Sequence, residues 1–200
     1  MKKILLSAVA IFALSVTTTQ AQEMMRFGAK AGVNIADFGG DAESEGSRTG
    51  LHIGVLAEFR LSETFSIQPE LLYSMQGAKT KDLTGEGEFD TKLDYINIPI
   101  MAKYYITEGL SIEAGPQVGF LMSANWEDED AKDYYKTIDF ALNGGIAYDL
   151  PMGVFFQARY SAGLTSIAED VEIDTGLGSV SVSEVDIKNN VISLSVGYKF

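Results

Sequence analysis

The chain has 200 residues, 28 acidic against 15 basic, one histidine and no cysteine, for a net charge of −13. Without cysteine there are no disulfides, no thiolate metal sites and no lipid-anchored leader. So acidic a chain repels nucleic acid and anionic headgroups, and its length suits one domain.

Lys2 and Lys3 precede an apolar run of 11 residues, Ile4–Leu14, and small or polar residues follow to Ala21. This order predicts a signal peptide over 1–21, cut after Ala21. The run is too short for a helical span, which needs roughly 20 residues. Losing the two lysines leaves 13 basic against 28 acidic residues in 22–200, a net charge of −15. The domain is expected to occupy 22–200.

Eight segments then alternate with period two, near 26–36, 50–60, 65–76, 95–106, 110–123, 137–150, 154–164 and 191–200. One face runs through residues such as Val33, Ile53, Leu71, Ile98, Val118, Leu142, Ala158 and Leu194, with no charge on any strand. The other carries Lys30, Glu58, Arg60, Glu70, Lys103, Glu113, Asp139, Asp149, Arg159 and Lys199. A soluble lipocalin-like barrel turns the apolar face inward around a ligand; an outer-membrane barrel turns it to lipid.

Three features favour the membrane arrangement. The apolar face stays apolar to the strand ends. Phe27, Phe59, Phe65, Tyr104, Tyr148, Phe156, Tyr198 and Phe200 collect at one level, as an interfacial girdle does. Connections of three or four residues, Leu61–Thr64, Thr107–Gly109 and Pro151–Gly153, alternate with long ones near 37–49, 77–94, 124–136 and 165–190. The expected fold is all-β, an eight-stranded antiparallel up-and-down transmembrane barrel with its termini in the periplasm.

A barrel of this size is filled by its own side chains, so the five cations and five anions are expected to pair within the lumen. A narrow ion path is the alternative. His52 is expected inside near the long-loop rim, with Ser47 and Asp41 as the available partners. It reads as structural rather than as a general base. The stretch 124–136 sets acidic residues beside aromatics, so Trp126, Asp128, Asp130, Tyr134 and Tyr135 are the loop candidates for binding a ligand. Their spacing is not that of a calcium loop. Residues 39–46 read as a flexible polar tip. Residues 171–187 alternate around Gly176-Leu177-Gly178 and predict a hairpin that could take a partner strand.

The stretches "YINIPIMAKYYI" (95–106), "IEAGPQVGFLMSA" (112–124), "NGGIAYDLPMGVFFQARYSAGLTSI" (143–167) and "VGYKF" (196–200) resemble the small eight-stranded outer-membrane barrels of the porin-family or PorT-like type, with an OmpA/OmpX-like architecture. The resemblance spans the mature chain. It implies outer-membrane placement and barrel-assembly machinery that reads Tyr198 and Phe200 as an assembly signal. One branch looks like part of a secretion apparatus. The resulting expectation is a non-enzymatic surface anchor or adhesion module, a monomer in outer-membrane lipid. It has a possible extracellular partner at its loops and no cofactor, metal or nucleic acid. A pore or secretion accessory ranks second, a soluble periplasmic binder third.

Overall fold

The computed structural model describes residues 25–40, 46–81, 88–126, 129–168, 172–174, 179–181 and 186–200. The expected signal peptide, the tip residue Asp41, Asp128 and the centre of the expected hairpin lie outside them. The strands are β1 (Met25–Gly40), β2 (Gly46–Arg60), β3 (Phe65–Lys81), β4 (Glu88–Tyr105), β5 (Leu110–Trp126), β6 (Glu129–Asp130), β7 (Ile138–Asp149), β8 (Val154–Gly163), β9 (Glu172–Asp174), β10 (Ser179–Ser181) and β11 (Ile187–Lys199). One sheet runs β4-β3-β2-β1-β11-β8-β7-β5, with two-residue β6 appended to β5, and the β4–β5 pairing closes it. Eight strands therefore form a barrel, every neighbouring pair antiparallel.

The seam between β1 and β11 runs from Gly28 opposite Lys199 to Gly40 opposite Ile187. Phe200 N–H donates to Phe27 C=O at 2.9 Å and Lys199 N–H to Gly153 C=O at 2.8 Å. Closure thus gives the last strand partners on both sides and removes the free edge. At this end the turns are tight: Leu61 N–H reaches Phe65 C=O at 3.0 Å, and Ile106 and Leu150 make the equivalent bonds at 2.8 Å. Gly153 holds a φ of +91°, a left-handed conformation that only glycine adopts without cost.

The faces sort as the membrane arrangement requires. Leu51, Ile53, Ile146, Leu142, Ile192 and Leu194 stand about half exposed on the outer wall, while Lys30, Glu58, Glu70, Lys103, Glu113 and Arg159 are buried inside. This overturns the soluble lipocalin-like alternative, whose apolar side chains would fill the lumen. Phe59, Tyr104, Tyr148, Phe156, Tyr198 and Phe200 project outward towards the turn end.

At the loop end β1 to β5 overrun their expected limits. Backbone pairing continues to Gly40, Lys81 and Trp126, although the hydropathy no longer alternates. A strand pair that leaves lipid meets water on its outer side, so nothing forces apolar residues there. β8, by contrast, stops at Gly163, and the barrel wall is uneven at this end.

The interior of the loop end is apolar. Leu93, Tyr95, Leu121, Ala124 and Ile167 form a buried cluster, with Phe38, Tyr135 and Ile187 packed against it. The chain folds inward to complete it. Lys136 N–H bonds Ile167 C=O, Ile167 N–H bonds Ile187 C=O, each at 2.8 Å, and Ala131 N–H bonds Ala124 C=O at 2.9 Å. β9 and β10 pair as a separate two-stranded ladder, Val180 opposite Ile173.

Candidate functional site: the lumen and the loop platform

The inward charges resolve into two clusters rather than one network. In the first, Arg159 (β8) forks onto Glu70 (β3), Nη1 to Oε2 at 2.9 Å and Nη2 to Oε1 at 2.8 Å. Its Nε donates to Glu113 Oε1 (β5) at 2.9 Å. Lys30 (β1) lies 2.8 Å from Glu70 and donates to Gln157 Oε1 at 2.6 Å, and Gln157 donates to Glu113 at 3.0 Å. Two cations face two anions, so the cluster is neutral and its carboxylate oxygens are taken up. That is the condition under which buried ions are tolerable.

The second cluster sits at the turn end. Lys199 Nζ donates to Glu58 Oε2 at 2.6 Å and to Asp149 Oδ1 at 2.8 Å. The Tyr105 hydroxyl donates to Glu58 and, at 3.1 Å, to Asp149. Lys103 stands 3.9 Å from Glu58 and 3.7 Å from Asp149. Gln68 connects the clusters, accepting from Lys103 at 3.4 Å and donating to Glu70 at 2.7 Å.

Two residues depart from the expected five-against-five pairing. Arg60 is a rim residue with its side chain 30% exposed, 3.8 Å from Glu58, its guanidinium lying 4.7 Å over the Tyr105 ring. It ends β2, where the wall gives way to water. Asp139 is buried but belongs to neither cluster: it accepts from the Thr165 hydroxyl at 3.0 Å. Among the described residues no cation is paired with it. Alternation placed it on the inner face; its height, above Gln117 and Asn143, put it beyond the reach of Arg159.

Among the described residues, a cavity of about 20 Å³ inside the barrel is lined by Lys30, Asn34, His52, Ser74, Gln117 and Arg159 among others. It holds about one water molecule.

His52 (β2) is buried at the edge of this cavity, and its described partners do not include Ser47; Asp41 lies outside the described residues. Its Nδ1 lies 2.8 Å from Asn34 Oδ1 on β1, its Nε2 2.8 Å from Ser195 Oγ on β11. Asn34 donates through Nδ2 to Ser74 Oγ at 2.9 Å and Met75 C=O at 3.0 Å, and its Oδ1 accepts from Ser193 Oγ at 2.8 Å. That orientation makes Nδ1 of the imidazole the donor and Nε2 the acceptor of the Ser195 hydroxyl. The ring reaches across β1 because Gly32, opposite both His52 and Ser195 in the ladders, has no side chain. A Cβ there would lie 2.7 Å from His52 Cε1 and 2.0 Å from Leu194 O. Ser, His and Asn stand in the order of a hydrolase triad, with Ser195 buried at 7% exposure. The arrangement is a clamp across the closing seam.

The loop candidates are partly brought together. Trp126 and Tyr134 stack with ring centroids 4.8 Å apart at 25°, and Trp126 Nε1 donates to the Tyr135 hydroxyl at 3.1 Å. Tyr134 is 54% exposed, whereas Tyr135 turns into the apolar cluster, where burial raises its phenol above the usual range. Asp130 Oδ1 accepts Lys132 N–H at 3.0 Å, at the start of the 3₁₀ turn Lys132–Tyr134.

Solved structures share this architecture. Neisserial surface protein A aligns with 16% identity over 87% of this chain and 97% of its own, with a TM-score of 0.57. The outer membrane protein AlkL, solved in lipid bilayers, aligns with 13% identity over 88% and 90%, TM-score 0.50. The attachment invasion locus protein Ail of Yersinia pestis gives 12% identity, 88% and 99% coverage and a TM-score of 0.49. At these identities the likeness is one of fold. No curated protein sequence matches. A family model described as "Outer membrane protein beta-barrel domain" matches residues 20–169, a description that does not narrow the chain to a PorT-like branch. With an apolar wall, a charged interior and this match over three quarters of its length, the chain belongs to the outer membrane protein beta-barrel domain family and is a transmembrane barrel of the outer membrane.

Proposed function

We propose that the protein is a sealed, non-enzymatic anchor that acts through its long loops at the cell surface. The signal peptide exports it, the assembly machinery recognises Tyr198 and Phe200, and the short turns and both termini lie in the periplasm. The barrel stands as a monomer in outer-membrane lipid. The carrying observation is the filled lumen: two ion-paired layers, a cavity with room for one water, and an apolar plug around Leu93, Leu121 and Ile167. With the interior closed to substrates and ions, the chemistry left to face an extracellular partner is on the loops, where Trp126 and Tyr134 form the exposed aromatic stack. Aromatic side chains of this kind offer large contact area at little conformational cost.

A second reading, a proton-conducting relay, draws on the hydrogen-bonded link that Gln68 makes between the two clusters. Single-channel recording of the refolded protein in a planar bilayer separates them. No unitary steps are expected across salt and voltage. Reproducible steps that change with Arg159→Ala would place the function in the lumen instead. In a companion arm, cells displaying Trp126→Ala with Tyr134→Ala should adhere less than cells displaying equal amounts of wild type.

A further inference from the structure

The charges at the turn end do not balance. β1 begins with Arg26 opposite Glu58 of β2, and Arg60 closes β2 two residues later. Opposed residues of an antiparallel pair share a face, as do residues two apart on one strand. Arg26, Glu58 and Arg60 therefore share the inner face at the rim, and the two arginines are diagonal neighbours within reach of long side chains. Neither arginine is held by the fold. Arg26 is exposed and, among the described residues, its side chain enters no ion pair. Arg60 approaches Glu58 no closer than 3.8 Å, and its Nε–H is buried without an acceptor. Behind them Lys103 is buried, 3.4 Å from Gln68 Oε1 and no closer than 3.7 Å to a carboxylate. The cations Arg26, Arg60, Lys103 and Lys199 thus face two carboxylates, Glu58 and Asp149, an excess of two positive charges. Glu63 and Glu108 stand exposed in the turns and, among the described residues, pair with none of the four.

We propose that the turn-end rim binds a phosphate group, clamped between the guanidinium groups of Arg26 and Arg60. The ligand class follows from the charge and the donors. A phosphate dianion neutralises the excess of two, whereas a carboxylate or chloride meets only half of it. Guanidinium groups present their N–H donors as planar forks that match phosphate oxygens, and the Arg60 Nε–H is a donor still without an acceptor. The net charge of the chain is −13, yet it does not set the local sign. Beyond a Debye length of roughly 8 Å exposed charges are screened. Both arginines stand where the wall gives way to water, so the anion docks at the rim and the ion-paired layers stay closed. A soluble phosphate and the phosphate of a lipid headgroup share this chemistry, and the test separates them.

The inference rests on the rim alone and does not depend on what the loops bind. The full mature chain is folded in alkyl maltoside micelles, which contain no phosphate. It is then dialysed against radiolabelled inorganic phosphate at mildly alkaline pH and fixed ionic strength, with chloride as the balance. Saturable binding is expected. Arg26→Gln and Arg60→Gln should each weaken it about tenfold, the scale of one charge-assisted contact. Lys132→Gln, at the loop end, should leave it unchanged, with heat-modifiable gel mobility reporting the folded barrel in all variants. A second arm uses nanodiscs of phosphatidylglycerol mixed with a neutral glycolipid free of phosphate, and counts retained lipid by native mass spectrometry. Retention of phosphatidylglycerol that falls in the double arginine variant, without binding in micelles, would assign the phosphate to a headgroup. Absence of both signals would overturn the site. So would binding in either arm that the double arginine variant leaves intact.

Discussion

A single glycine decides how the barrel closes. Gly32 sits between His52 and Ser195, and only its missing side chain lets the imidazole cross β1 to reach β11. Gly32→Ala places a methyl against both the ring and the Leu194 carbonyl. It should destabilise the barrel by about 1–3 kcal/mol, as overpacking does. Ser195→Ala removes the donor to Nε2 and leaves a buried acceptor unmatched, an effect of ~1–3 kcal/mol. Urea unfolding in lipid vesicles measures both. In the double variant the two effects should fall short of additivity, because either change alone already breaks the same bond. Full additivity would show that the clamp is not a unit.

Each strand is written for two solvents at once, lipid outside and a crowded polar lumen inside. Leu194 on β11 is half exposed on the outer wall, while Ser193 beside it hydrogen-bonds Asn34 inside. Leu194→Arg therefore sends a cation into hydrocarbon and should cost about 2–4 kcal/mol near mid-depth. Ser193→Arg would face the lumen. A folded, membrane-partitioned Leu194→Arg protein with an unchanged unfolding midpoint would refute the lipid-facing assignment of that strand. The alternation that identifies the strands is thus a property of the membrane-spanning part alone. Above it the same strands continue on backbone pairing, and there no sequence pattern marks them.

Across the whole molecule the first charge cluster works as a belt. Lys30, Glu70, Glu113 and Arg159 come from β1, β3, β5 and β8, so their bonds span the lumen between strands that are not neighbours in the wall. Removing one charge leaves others stranded. Glu70→Gln takes a carboxylate from both Arg159 and Lys30 and should destabilise the barrel by about 3–5 kcal/mol. Glu70→Gln combined with Lys30→Met should recover part of the loss, by restoring one anion to one cation. Equilibrium unfolding of the two variants checks this; a double variant no more stable than Glu70→Gln alone would show that a stranded Lys30 charge is not what makes Glu70→Gln costly. Above the belt the plug closes the loop end, with Ile167 bonded by its backbone to Lys136 on one side and Ile187 on the other.

The amino-acid order alone determined the strand count, the two faces, the girdle and the asymmetry of turns and loops. These follow from a period of two and from which side chains hydrocarbon tolerates, and both are local properties. It also put the buried charges among the described residues, from Lys30 to Lys199, on the inner face. Tertiary structure alone decided which charges meet, because Glu70 and Arg159 are 89 residues apart and become neighbours only through barrel curvature. The same holds for His52 and Ser195, joined across 143 residues by closure of the seam. Leu93, Tyr95 and Leu121 are buried at the loop end, and their role as a plug depends on Ile167 folding in from another loop. Alternation fixes the side of the wall on which a residue lies. Its height and its partner across the lumen are set by stagger, which no single strand encodes.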